Sequence, residues 1–139
     1  MHISEGVLSP DILLTGYIIT TGATAYGLKK MEYKKMPEVA ILTSTFFIAS
    51  LIHVPVGVSS MHLILNGLLG ILLGWSAYPA ILIALSLQAI FFQFGGFTTL
   101  GVNTFNMAFP AIVCFYIFKF FRDKDLFLLS VGSFLCGAL

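Results

Sequence analysis

Residues 77–94, Ala77-Tyr78-Pro79-Ala80-Ile81-Leu82-Ile83-Ala84-Leu85-Ser86-Leu87-Gln88-Ala89-Ile90-Phe91-Phe92-Gln93-Phe94, carry no formal charge. A bilayer-crossing helix needs ~20 predominantly apolar residues, and this stretch comes close. Similar runs lie at 12–28, 39–56, 61–75, 105–121 and 126–139. The 139-residue chain is 58% hydrophobic and 9% charged, whereas a soluble globular domain carries about 25% charged residues. With a mean hydropathy of +1.00, the reading is all-α: a polytopic transmembrane helical bundle of about six spans, residues 1–139 forming one domain. A net charge of +1 gives no reason to expect a nucleic-acid partner. The last run stops at Leu139 after the stretch 126–139, short of a full span, which predicts a chain truncated at its C-terminus.

The charged residues set an orientation. Lys29, Lys30, Lys34 and Lys35 fall in one separator, and Lys119, Arg122 and Lys124 in another. Lysine and arginine collect on the cytoplasmic side of short loops, so both segments are expected inside. Four crossings separate them, an even number, so the assignment is self-consistent. One crossing precedes the first, which places Met1 to Asp11 outside, together with the connections near 53–61 and 95–104. The first eleven residues lack the basic start of a cleavable signal peptide and hold Glu5, Pro10 and Asp11. No phosphate-binding G-x-x-x-x-G-K-[ST] loop is present, so use of ATP would fall to a partner.

Small residues recur at helical spacing, as Gly16, Thr20, Ala23 and Gly27 and as Gly67, Gly70 and Gly74. Each set predicts a face where helices approach closely, within the bundle or against another membrane subunit. Cys114 and Cys136 sit in apolar runs with no pairing signature and read as small buried hydrophobes.

Polar residues near the expected outer face cluster in three segments: Met1-His2-Ile3-Ser4-Glu5-Gly6, Gly57-Val58-Ser59-Ser60-Met61-His62, and Gly95-Gly96-Phe97-Thr98-Thr99-Leu100-Gly101-Val102-Asn103. Polar groups at membrane depth are costly and point to function. The third segment reads as a re-entrant or lining loop, because irregular backbone at that depth must be buried in protein or line a cavity. His2 follows the terminal residue, so the α-amine, the His2 amide nitrogen and the His2 Nδ1 could close two fused chelate rings around one metal ion. A deprotonated amide favours planar geometry, and one more imidazole would complete a square nitrogen set suited to Ni²⁺ or Cu²⁺. His62 is the best candidate for it. Taken alone, a histidine at position 2 usually has no role, and one at a helix start is more often an interfacial hydrogen-bonding residue than a ligand.

The segment Met1-His2-Ile3 with Glu5-Gly6, the run from His53 through Pro55 and Gly57 to Ser60-Met61-His62 and Asn66-Gly67, and Phe92 through Asn103-Thr104 together resemble the CbiM/NikM family. That family supplies the substrate-specific membrane subunit of energy-coupling-factor transporters for cobalt and nickel. The resemblance implies metal ligands at Met1, His2 and His62, with Ser60 and Asn103 able to orient them. Its cargo would be Co²⁺ or Ni²⁺, with no organic cofactor. It also implies a scaffold transmembrane subunit, ATP-binding-cassette ATPases and a small accessory membrane subunit as partners, in the inner (plasma) membrane.

Two positions depart from many members. Leu63-Ile64-Leu65-Asn66-Gly67 replaces the usual Pro-Thr-Gly, as in the branch associated with cobalt, and His53 stands where others carry lysine. His53 is either a third imidazole or an interfacial hydrogen-bonding group. Members are longer and usually have seven spans. An enzyme is disfavoured because a closed nitrogen square leaves no equatorial place for an activated water, and Glu5 and Asp11 are the carboxylates expected outside. A membrane anchor with no ligand of its own is the remaining alternative.

Overall fold

The computed structural model describes residues 3–56, 59–62, 65–122, 130–134 and 136, with residues 53–56 and 59–62 as backbone. Four long helices and one short one carry the chain: α1 (Pro10–Lys30), α2 (Met36–Leu51), α3 (Asn66–Leu73), α4 (Ala77–Phe92) and α5 (Leu100–Phe121). Pro10 and Pro37 occupy the first turns of α1 and α2, where an amide proton would have no partner in any case. Asp11 in the first turn and Lys29 and Lys30 in the last complement the α1 dipole.

The helical bundle expected from the apolar runs is present, with one addition. Between α2 and α3 lies a two-stranded antiparallel hairpin, β1 (His53–Val56) and β2 (Ser59–His62). The run read as a helix over 39–56 therefore turns extended after Leu51. Pro55 disfavours helical backbone at Val54, and Val54 and Val56 are β-branched. A second boundary moves as well: Leu100-Gly101-Val102-Asn103, expected in a loop, forms the first turn of α5. Irregular backbone in this segment begins at Gln93, at φ +55°, and runs through Gly95 and Gly96, at φ +80° and +141°, into the turn that follows. The last expected span, 126–139, lies largely outside the described residues, although 130–134 are helical.

Contacts fix the directions of the helices. Tyr17 and Thr20 of α1 meet Phe97 and Gly101 at the start of α5, while Tyr26 and Gly27 meet Trp75 and Pro79 near the start of α4. Thus α1 and α5 run in the same direction and α4 runs against them. Phe47 and Ser50 of α2 pair with Phe92 and Gln88 of α4, so α2 and α4 both climb toward the hairpin end. Gly74, at φ +55°, bends the chain between α3 and α4, a conformation that glycine adopts without steric cost.

Both small-residue faces prove to be contact faces. A Cβ at Gly16 would strike Val102, one at Gly67 the Cys136 carbonyl, and one at Gly70 the Ala111 carbonyl. Ala77, Ala80, Ile81, Ala84, Ala108 and Ala111 are fully enclosed, with Phe46 and Leu69 filling the space between helices. Both cysteines are buried, as expected, and each thiol reaches the other's carbonyl at 3.6 Å.

Large apolar side chains stand on the outside of this bundle as well as in its core. Ile18, Ile41, Phe91 and Phe120 are each 64–67% exposed, an arrangement water would not tolerate over so much surface. Among the described residues two segments are long and apolar enough to cross a bilayer, Asn66–Phe92 and Leu100–Phe121. Twenty-two residues of α5 extend about 33 Å at the helical rise, enough for the ~30 Å hydrocarbon layer.

Candidate metal-capture site

Three segments gather at one end of the bundle: residues 3–9 leading into α1, the hairpin entered from α2, and the turn 93–99 between α4 and α5. The junction that matters most is between the first and the third. Asn103, 4% exposed in the first turn of α5, grips the backbone of Ile3 at two points. Its Oδ1 accepts the Ile3 amide proton at 2.9 Å, and its Nδ2 donates to the Ile3 carbonyl at 3.1 Å. A second Nδ2 proton goes to Thr99 Oγ1 at 3.2 Å, and the Thr99 hydroxyl donates to the Gly96 carbonyl at 3.4 Å. Asn103 thus reads the N-terminal segment as a neighbouring strand would, with both backbone groups of one residue satisfied.

Two residues on, Glu5 closes the same junction. Its Oε1 accepts the Thr98 amide proton at 3.1 Å, and its side chain lies over Gly96, where a Cβ would overlap it. Because Gly96 stands at φ +141°, glycine is needed there both for the backbone angle and for the space. The carboxylate also sits just before the N-terminus of α5, where the helix dipole favours negative charge. From the side, the Tyr17 hydroxyl donates to the Phe97 carbonyl, and Thr20 Oγ1 donates to the Gly101 carbonyl at 2.7 Å. The carbonyls of Gly96 and Phe97 in the irregular turn, and of Gly101 in the first turn of α5, therefore each have a side-chain donor.

Of the residues singled out by sequence, Asn103 is placed in full, and it acts on the backbone adjoining His2. Met1 and His2 lie outside the described residues. Ser60, His62 and His53 belong to the hairpin, whose register sets His53 opposite His62 and Pro55 opposite Ser60. Sequence reading treated the two histidines separately, yet they are cross-strand partners. Among the described residues no cluster of three or more His, Cys, Asp or Glu side chains forms. Glu5, Thr98 and Thr99 fall within the polar segments picked out from sequence, with no role of their own assigned there, and Tyr17 is not singled out. The signal available for them was the Gly95-Gly96 pair, since irregular backbone at membrane depth requires donors and acceptors nearby.

Comparison with known proteins identifies the family. Residues 2–139 match the CbiM family, described as the cobalt uptake substrate-specific transmembrane region. The chain is 47% identical over 142 residues to a candidate metal transport protein of Haemophilus influenzae, covering 99% of this chain and 69% of that protein. It is 35% identical over 146 residues to the cobalt transport protein CbiM of Lachnoclostridium phytofermentans, covering 99% and 58%. Against the fused nickel transport protein NikMN of Rhodobacter capsulatus it is 35% identical over 114 residues, covering 78% and 33%. The chain thus spans between a third and about two thirds of these relatives. A crystal structure of a truncated transition metal transporter superposes with a TM-score of 0.76 at 30% identity, covering 98% of this chain and 68% of that one. A match along nearly the whole chain, with the fold in agreement, shows that the protein belongs to the CbiM family of membrane components for metal uptake.

Proposed function

We propose that this chain is the substrate-binding membrane subunit of an energy-coupling-factor transporter that captures Co²⁺ outside the cell and passes it inward. A scaffold membrane subunit and ATP-binding-cassette ATPases would drive release, with a small accessory membrane subunit completing the assembly. The observation that carries the reading is the two-point grip of Asn103 on Ile3. A free N-terminus usually frays, so a buried amide committed to holding residue 3 implies that residues 1 and 2 must be positioned. Met1 amine, His2 amide nitrogen and His2 imidazole would supply three ligands, and His62 the fourth. The basic segments at 29–35 and 119–124 support an orientation with this end of the bundle outside the inner membrane. Nickel is the second reading, favoured by the likeness to a fused nickel transport protein, and the same nitrogen ligands serve both ions.

The test is metal content and visible absorption of protein purified with its native N-terminus, beside a form extended by one residue before Met1. Near-stoichiometric metal in the first and none in the second, with both folded, is the expected result. Equal metal in the two would remove the terminal amine from the site, and no metal in either would favour an anchor without a ligand.

A further inference from the structure

At the opposite end of the bundle a cavity of about 400 Å³ opens between the end of α1, the start of α2, the α3–α4 bend and the end of α5. Lys30, Lys35 and Lys119 line it from three different elements, with Glu32 and Glu38 on the same rim. Among the described residues none of the three ammonium groups is held in an ion pair, and Lys30 lies 5.7 Å from the Tyr26 ring centroid. One wall is aromatic. Tyr26 meets Trp75 edge-on at 4.7 Å, and Trp75 Nε1 donates to the Tyr116 hydroxyl at 3.1 Å. Leu72, Leu73 and Phe115 add apolar side chains to the lining.

We infer that this cavity is a binding site for the headgroup of an anionic glycerophospholipid of the phosphatidylglycerol type. Three ammonium groups with no ion pair among the described residues, gathered around one cavity, suit a phosphodiester, and basic pockets between membrane helices are where such headgroups bind. Tryptophan and tyrosine belong at headgroup depth, where an apolar ring body and a polar edge are both satisfied. Glu32 and Glu38 do not fit an inorganic anion, but they can accept hydrogen bonds from the hydroxyls of a glycerol headgroup. Leu72, Leu73 and Phe115 supply apolar surface of the kind the acyl chains of a diacyl ligand need. None of this depends on which side of the membrane the end faces, or on whether the other end captures metal.

The experiment is native mass spectrometry of the full-length protein released from bilayers holding equal phosphatidylglycerol, phosphatidylethanolamine and phosphatidylcholine. The wild type should retain phosphatidylglycerol selectively. Lys30→Ala and Lys119→Ala should each lower that retention about five-fold, at roughly 1 kcal/mol per lysine, with Lys119→Arg restoring it. Lys34→Ala removes the same charge outside the cavity and should change nothing. Equal losses for Lys34→Ala would reduce the effect to surface charge, and indifference to headgroup would leave no site. Displacement by excess inorganic phosphate would reassign the cavity to a soluble anion. Melting temperature and helical circular dichroism of the same samples separate a misfolded variant, which loses both fold and lipid, from one that loses lipid alone.

Discussion

The two ends of the bundle solve the problem of ending helices in opposite ways. At the Asn103 end, helix ends and irregular turns are closed by uncharged or singly charged groups acting on backbone: Asn103 on Ile3, Glu5 on Thr98, Thr20 on Gly101. At the Trp75 end the groups are lysines, glutamates and aromatic rings facing an open cavity. A hydrogen bond to backbone fixes position to within tenths of an ångström, whereas a lysine on a four-carbon stem fixes charge and leaves position loose. The first end is therefore built for geometry and the second for attraction. A site that depends on several ligands meeting at fixed angles belongs at the first.

Histidine substitutions test that contrast most severely. His62→Ala should lower metal affinity by orders of magnitude, measured by titration on folded protein, because it removes a proposed ligand while leaving the N-terminal chelate. Its cross-strand partner adds a sharper arm. Directly opposite positions are the closest pair that two strands offer, so His53→Ala should cause a measurable but smaller loss. A larger effect at His53 than at His62 would exchange their roles.

Next comes Asn103→Leu, which keeps the volume and deletes the grip. Ile3 would lose a partner for both its amide and its carbonyl, and the ligand-bearing residues before it would be released. Residues that orient metal ligands typically cost 10–100-fold in affinity when removed, and a loss of about that size is expected. Asn103→Asp discriminates further, since a carboxylate can still accept the Ile3 amide proton but cannot donate to its carbonyl. Proteolytic trimming of the N-terminus, measured without metal, should accelerate in both variants. Unaltered trimming with weakened metal binding would mean that Asn103 acts on the ion directly.

How much of this was legible beforehand follows the same division. Helix α4 and most of α5 could be read from composition because uncharged apolar runs of that length have few other uses. The glycine faces could be read because their spacing is helical, and Gly16, Gly67 and Gly70 each meet backbone or side chain of a neighbouring element. The hairpin could not, because His53-Val54-Pro55-Val56 continues an apolar run and periodicity over four residues does not separate strand from helix. Asn103 was placed near the site through resemblance. Its action on Ile3 was out of reach, since the two are 100 residues apart in sequence and no local pattern encodes that contact.

Glu5→Gln probes a weaker contribution at the same end. The amide keeps an oxygen that can accept the Thr98 proton but loses the charge facing the α5 N-terminus. Metal affinity should fall only about two- to five-fold, the range of an exposed helix-dipole interaction, and the difference should shrink as salt is added. A loss that ignores salt would assign the effect to packing over Gly96 instead.

The smallest expected effect on capture is the most informative about independence. Tyr116→Phe removes the acceptor that Trp75 Nε1 uses at 3.1 Å, at the far end of α5 from Asn103. A typical hydrogen bond contributes about 0.5–1.5 kcal/mol net, and a buried indole proton left with no partner at all costs about 1–3 kcal/mol. Tyr116 is 51% exposed, and at headgroup depth water is within reach, so the cost should sit at the low end and appear as a slightly lower melting temperature. Metal affinity should not change. The Asn103 end is held by its own bonds between α1, α5 and the N-terminal segment, none of which passes through Trp75. If Tyr116→Phe weakened metal binding as much as Asn103→Leu, α5 would have to move as a rigid lever joining the two ends. The separation of geometry at one end from attraction at the other would then fail.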